Sequence, residues 1–155
     1  MSEILQPGTP APDVTFRQGR ERLSLKDFQG KKNIVIAFYA AAFTGGWERE
    51  LVGFQQRYPE FETLNTEIIA TSVDLYPAQR AFGDHCGVTF MMGTSYPNQE
   101  IPKAFGVYNE ERATDQRVTF IIDTEGIIRH VIEDAQDMDR HPREALEVIQ
   151  SWSSA

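Results

Sequence analysis

The sequence predicts one α/β domain, residues 1–155, with a mixed central β-sheet, helices on both faces and a β-hairpin at the amino end. Three observations carry that prediction. Asn33–Tyr39 and Ile68–Val73 are continuously apolar, as strands covered on both faces must be. Between them, Trp47, Leu51, Phe54 and Tyr58 recur at steps that place them on one helical face. Near the end, two strand-forming runs flank Thr124-Glu125-Gly126, a tight-turn sequence that makes them antiparallel neighbours.

The elements follow in order. Asp13–Phe16 and Glu21–Leu25 lie either side of Gln18-Gly19 and form the opening hairpin. The helix from Trp47 has Thr44 as its expected cap and Gly45-Gly46 in its first turn, and Pro59 is expected to kink or interrupt it near its end. Pro77–Cys86 is a short helix that Gly87 stops, and Pro102–Phe105 is another short helical piece. The final helix starts near Asp139, carries Pro142 in its first turn, and turns Leu146, Ile149 and Trp152 to one side. Helix-linked early strands imply a parallel part and the closing hairpin adds antiparallel strands, which is a thioredoxin-like plan.

Composition narrows the function classes. A hydrophobic fraction of 41% and a charged fraction of 25% are those of an ordinary globular chain. A net charge of -8 opposes attraction to nucleic acid or an anionic membrane, so neither is an expected partner. The longest apolar stretch, Ile34–Phe43, is about half the ~20 residues a membrane span needs, and no signal-like pattern opens the chain. A cytoplasmic protein is the expectation. The only cysteine, Cys86, excludes an internal disulfide and a cysteine-based zinc site. Neither His130 nor His141 has the spacing of a metal ligand, so solvated or capping roles are expected and no metal or cofactor is implied. The run Glu133–Asp139 is acidic without a calcium-loop pattern and is expected to be a solvated loop.

The segment Phe38-Tyr39-Ala40-Ala41-Ala42-Phe43-Thr44-Gly45-Gly46-Trp47-Glu48-Arg49-Glu50-Leu51 resembles the peroxiredoxin signature, Phe-Tyr-Pro-x-x-Phe-Thr-x-x-Cys followed by a helix. Gly8–Asp13, Ser72-Val73-Asp74, Phe105–Tyr108 and Arg117–Gly126 resemble further segments of that family in its order and spacing, across roughly residues 5–150. The chain is thus identified as similar to the single-domain alkyl hydroperoxide reductase and thiol-specific antioxidant type. The resemblance implies a thioredoxin-like fold, an antioxidant oxidoreductase, and a homodimer. It also implies a difference: Trp47 stands where the family has its peroxidatic cysteine, and Ala40 where it has the signature proline. Thr44, Glu50 and Arg117 match the family's pattern.

In the family's reaction a thiolate attacks the peroxide O–O bond and becomes a sulfenic acid, with a helix amino end and an arginine lowering the thiol pKa. An indole has no ionisable nucleophile at neutral pH and fills far more space than a thiol, so standard thiol-peroxidase turnover is expected to be absent. Trp47 is then either a core aromatic continuing the Leu51/Phe54 face or a wall for a ligand. Arg117 either pairs with Glu50 and stacks on Trp47, or binds a small, peroxide-like or other anion with Thr44 and the Gly45-Gly46 amides. Glu50 positions an arginine or is a solvated helix residue. Cys86 lies near the resolving cysteine of some bacterioferritin-comigratory relatives. A helix carboxyl end and Asp84 nevertheless disfavour its thiolate, and neighbouring His85 points away from it.

Three functions compete. In the first, the chain binds a small molecule or protein through the pocket of Thr44, Gly45, Gly46, Trp47, Glu50 and Arg117. In the second, Cys86 supports thiol-dependent peroxide or disulfide reduction. In the third, the chain is an interaction subunit of a cysteine-containing paralogue.

Overall fold

The computed structural model describes residues 3–44 and 46–153. Strands β1 (Thr15–Gln18) and β2 (Glu21–Ser24) form the antiparallel hairpin, followed by a 3-10 turn at Leu25–Asp27. Next come β3 (Asn33–Phe38), α1 (Trp47–Thr63), β4 (Thr66–Thr71), α2 (Tyr76–Cys86) and β5 (Met91–Gly93). The chain continues through α3 (Glu100–Phe105), β6 (Tyr108–Asn109), β7 (Thr114–Asp115), β8 (Val118–Ile122), β9 (Ile128–Glu133) and α4 (Arg140–Ser153). The central sheet has the order β5-β4-β3-β8-β9. Its β3-β4 and β4-β5 pairs are parallel, while β3-β8 and β8-β9 are antiparallel.

Alternation along β3 explains the layers. Val35, Ala37 and Tyr39 face one core with Trp47, Leu51, Phe54 and Phe61 of α1, Phe82 of α2 and Ala145, Leu146 and Ile149 of α4. Ile34, Ile36 and Phe38 face the other, with Phe16 of the hairpin and Ile101 and Phe105 of α3. Covering both faces is why the β3 segment is apolar without a break. Asp123 shapes the β8-β9 connection, its Oδ1 accepting the amides of Glu125 (2.9 Å) and Ile127 (3.1 Å).

The structure corrects two expectations about α1. Thr44 does not cap it: Gly46 does, at φ 82 without a side-chain cap, and the Thr44 hydroxyl donates to the Ala41 carbonyl at 2.7 Å. Of the kink or interruption expected at Pro59, the interruption does not occur, because the helix runs on to Thr63. The last turn carries the fully buried Phe61, whose ring centroid lies 6.3 Å from that of Phe54, and this core contact offsets the hydrogen bond that proline cannot make. Strands β5, β6 and β7 went unpredicted.

Candidate functional site

Where β3 ends, the chain turns sharply before α1. The Ala42 amide donates to Asp74 Oδ2 at 2.7 Å, and the Ser72 hydroxyl donates to the same oxygen at 2.7 Å, tying this turn to the end of β4. Phe43 adopts φ 60, a left-handed conformation that costs a bulky residue, and its ring is 60% exposed. That ring packs on Phe82 and His85, with centroids 5.0 and 5.6 Å away. Gly46 then caps α1 at φ 82, where glycine is favoured by the backbone; a Cβ would make ordinary contacts, 3.4 Å from Met138 Cγ and 3.6 Å from Arg117 Nη2.

Trp47 is 4% exposed and belongs to the core. Arg117, immediately before β8, lays its guanidinium over the indole with Cζ 3.6 Å from the ring centroid. Its Nη1 donates to the Ala135 carbonyl at 2.6 Å and meets Met138 Sδ at 3.1 Å. Stacking on Trp47 is thus realised, and with the indole buried but Arg117 half-buried the contact is worth about 1–2 kcal/mol.

Glu50 follows one turn after Trp47 and is fully buried, which corrects its reading as a solvated residue. No hydrogen bond reaches either of its carboxyl oxygens, so it is not a bonded partner of Arg117. Burial pushes its carboxyl up to about 8, against the lowering pull of the Arg117 charge. Across from it stands His141 of α4, whose Nδ1 is 3.5 Å from Glu50 Oε1. His141 is also fully buried, which removes the solvated alternative of the expected solvated or capping role. Its Nε2 lies 2.8 Å from the Asp134 carbonyl and its Nδ1 lies 2.8 Å from Thr119 Oγ1. A carbonyl only accepts, so Nε2 carries the proton and Nδ1 accepts from the Thr119 hydroxyl. Burial holds the imidazole below its ordinary pKa, which keeps it neutral.

Thr119, His141 and Glu50 are not a catalytic triad. All three are fully buried, and hydroxyl and carboxyl approach the same ring nitrogen. Sequence reasoning missed this cluster because nothing near His141 in the chain announces its partners.

A cleft of about 500 Å³ opens beside Trp47 and Arg117, lined also by Ala40, Arg112, Asp115, Val118, Glu133 and Asp134. Asp115 is 3% exposed with neither oxygen hydrogen-bonded, and burial raises its carboxyl well above the ordinary range. Of the expected pocket residues, Trp47 and Arg117 line this cleft; Gly46 lies beside the Arg117 guanidinium and Glu50 is buried, and neither lines it. Thr44 is turned to Ala41 and does not line the cleft, and Gly45 lies outside the described residues.

The remaining candidates stand apart. Cys86, at the carboxyl end of α2, has its thiol pushed up to about 11 by burial and then by Glu48. His85 turns instead to Glu48, with Nε2 to Oε1 at 3.2 Å. His130 pairs with Glu144 at 2.7 Å. The 133–139 run is more than a solvated loop. Glu133 ends β9 and Met138 is buried against Arg117. Asp134 Oδ1 accepts the amides of Gln136 and Asp137, each at 2.8 Å. Among the described residues no group of three or more His, Cys, Asp and Glu side chains is arranged to hold a metal ion, and no helix is long and apolar enough to cross a membrane.

A mixed five-stranded sheet, with a helix that follows its central strand and begins under an arginine immediately preceding β8, defines a thioredoxin-like protein of peroxiredoxin type. The chain belongs to the AhpC/TSA family, whose model matches residues 7–131. It is 34% identical over 128 residues to alkyl hydroperoxide reductase E of Mycobacterium tuberculosis, covering 81% of this chain and 84% of that one. It is 32% identical over 154 residues to the chloroplastic 2-Cys peroxiredoxin BAS1 of Spinacia oleracea, covering 93% of this chain and 58% of the relative. In fold it is similar to peroxidoxin BcpB from Mycobacterium tuberculosis, with a TM-score of 0.86 and 23% identity over 95% of this chain and 97% of that one. It is likewise similar to Enterococcus faecalis AhpC, with a TM-score of 0.84 and 24% identity over 96% and 93% of the two chains.

Proposed function

We propose that this peroxiredoxin-family chain carries out no standard thiol-peroxidase turnover and acts by non-covalent binding of a small anion or a protein segment at the Trp47–Arg117 cleft. The observation that carries the reading is the indole at the first position of α1, buried to 4% and covered by Arg117 at 3.6 Å. The ring offers no nucleophile and is far larger than a thiol. The cleft keeps two arginines, Arg112 and Arg117, beside the carboxyl groups of Asp115, Glu133 and Asp134, and in about 500 Å³ has room for a small ligand.

Titration with inorganic sulfate, followed by Trp47 fluorescence in a Trp152→Phe background, tests the anion arm. Saturable quenching that Arg112→Ala weakens supports it; a response that Arg112→Ala leaves unchanged, or none at all, removes the anion and leaves a protein segment as the occupant. Redox chemistry at Cys86 is disfavoured by a thiol pushed up to about 11. Disulfide exchange that Cys86→Ser abolishes would restore that reading.

The interaction-subunit reading draws on a separate observation. Phe43, Leu75 and Tyr96, exposed by 60%, 53% and 42%, flank the Asp74 network at the ends of β3 and β4. A second copy or a related chain seated there would cover them. Light scattering of the purified chain and of its Phe43→Ser variant tests this, with a dimer lost in the variant as the supporting result and a monomer in both as the opposing one.

A further inference from the structure

Under the Trp47–Arg117 stack lies a carboxyl group that the proposed function does not use. Glu50 leaves α1 on the same face as Trp47, three residues on, and is sealed from solvent with neither oxygen hydrogen-bonded. The Arg117 charge acts on it, yet the guanidinium itself is engaged by the Trp47 ring, the Ala135 carbonyl and Met138 Sδ. A buried carboxylate without a hydrogen bond, beside an arginine pointed elsewhere, is an expensive arrangement. A protonated carboxyl in the same place carries no net charge to compensate.

We propose that Glu50 is a proton-controlled latch on Arg117. While the carboxyl holds its proton, Arg117 lies on Trp47 and fixes the turn at 134–138 through Ala135 and Met138. When the carboxyl loses its proton to solvent, the guanidinium turns to the carboxylate, leaves the indole face and lets that turn and the adjoining cleft wall move.

The groups around Glu50 allow this. From α4 the facing group is His141, neutral and bonded to Thr119 and Asp134, so it supplies no competing charge. The Asp134 carboxylate is engaged by Arg140 at 3.3 Å and presents only its carbonyl to the cluster. On α1 itself, Glu48 is exposed and paired with His85. Tyr39, from β3, packs against Trp47 and has its hydroxyl pushed above its ordinary pKa by burial, so it stays neutral through the switch. Burial places the Glu50 carboxyl at about 8, just above neutrality.

The latch requires no ligand, so its test is independent of the sulfate titration. Trp47 emission in a Trp152→Phe chain should change sigmoidally with pH with a midpoint near 8, and the transition should vanish in Glu50→Gln. A flat emission profile across that midpoint in a folded chain overturns the proposal, as does a transition that Glu50→Gln leaves in place. Should Glu50→Gln not fold, the side-chain carboxyl carbons of the unaltered chain, carrying carbon-13 in glutamate, decide by NMR. One glutamate titrating near 8 together with a Trp47 indole N–H resonance that shifts with the same midpoint upholds the latch; all glutamates titrating in the ordinary carboxylate range near 4.5, or an indole resonance that does not follow the titration, overturn it.

Discussion

Replacing Glu50 by glutamine keeps the shape of the side chain and removes its ionisable proton. In the folded chain burial moves this carboxyl from its ordinary 4.5 to about 8. Between those values the folded state holds a proton that the unfolded chain has released. Stability therefore falls as pH rises through the window, in full measure present below 4.5 and lost once the pH passes 8. At about 1.36 kcal/mol per unit, the 3.5-unit gap sets a ceiling of about 5 kcal/mol on the loss. Glu50→Gln carries no such slope. His141 contributes with the opposite sign, because its depressed pKa costs stability as pH falls below 6.5, and Asp115 has the same sign as Glu50. Asp115 is common to the two chains and cancels in the difference, whereas His141 touches Glu50 at 3.5 Å, so the slope above 6.5, where the imidazole is neutral folded and unfolded, isolates Glu50. Urea unfolding across the window should show Glu50→Gln and the parent chain equally stable near 4.5, with the variant ahead by several kcal/mol at 8, on the order of that ceiling. Parallel stability profiles would refute the reasoning, because they would mean that Glu50 is either ionised in the folded chain or not buried.

Other substitutions probe the surroundings. Trp47→Ala removes a buried ring and its stack with Arg117, and should cost about 3–5 kcal/mol in urea unfolding, far more than Trp152→Ala at a half-buried position. Gly46→Ala places a Cβ in the left-handed region 3.4 Å from Met138, and should cost about 1–2 kcal/mol. Gly87→Ala, at φ 73 with nothing within 4 Å, should incur a similar backbone cost, and paired unfolding curves give the comparison. With its thiol moved from 9.0 to about 11, Cys86 has a smaller thiolate fraction that its greater basicity offsets in part, and it should alkylate with iodoacetamide roughly 10-fold more slowly in the folded chain than in urea at the same slightly alkaline pH. Equal rates would contradict that placement.

What the sequence discloses is what local pattern can carry. The unbroken apolar run of β3 and the spacing of Trp47, Leu51 and Phe54 state their own burial, and the Arg117–Trp47 stack follows from putting two matched segments side by side. Three residues of β5 state nothing comparable. Gly93 sits there against Phe16 of the hairpin, where a Cβ would fall 2.7 Å from that side chain's Cβ, a contact no local window contains. The same limit hid the Glu50–His141 pair. Each residue looks like an ordinary polar member of a helix, and only the packing of α4 across α1 and β8 removes both from water. Thr44 misled for a local reason: a threonine near a helix start is a good cap, but two intervening glycines let Gly46 take that place in a left-handed conformation.

The central claim is that Trp47 leaves this family member without the chemistry of a thiol peroxidase, and peroxide consumption by the purified, metal-free chain tests it most directly. With dithiothreitol as reductant and hydrogen peroxide as substrate, the account predicts loss of peroxide no faster than in the protein-free control. Protein-dependent turnover comparable with that of a cysteine-bearing relative would contradict it.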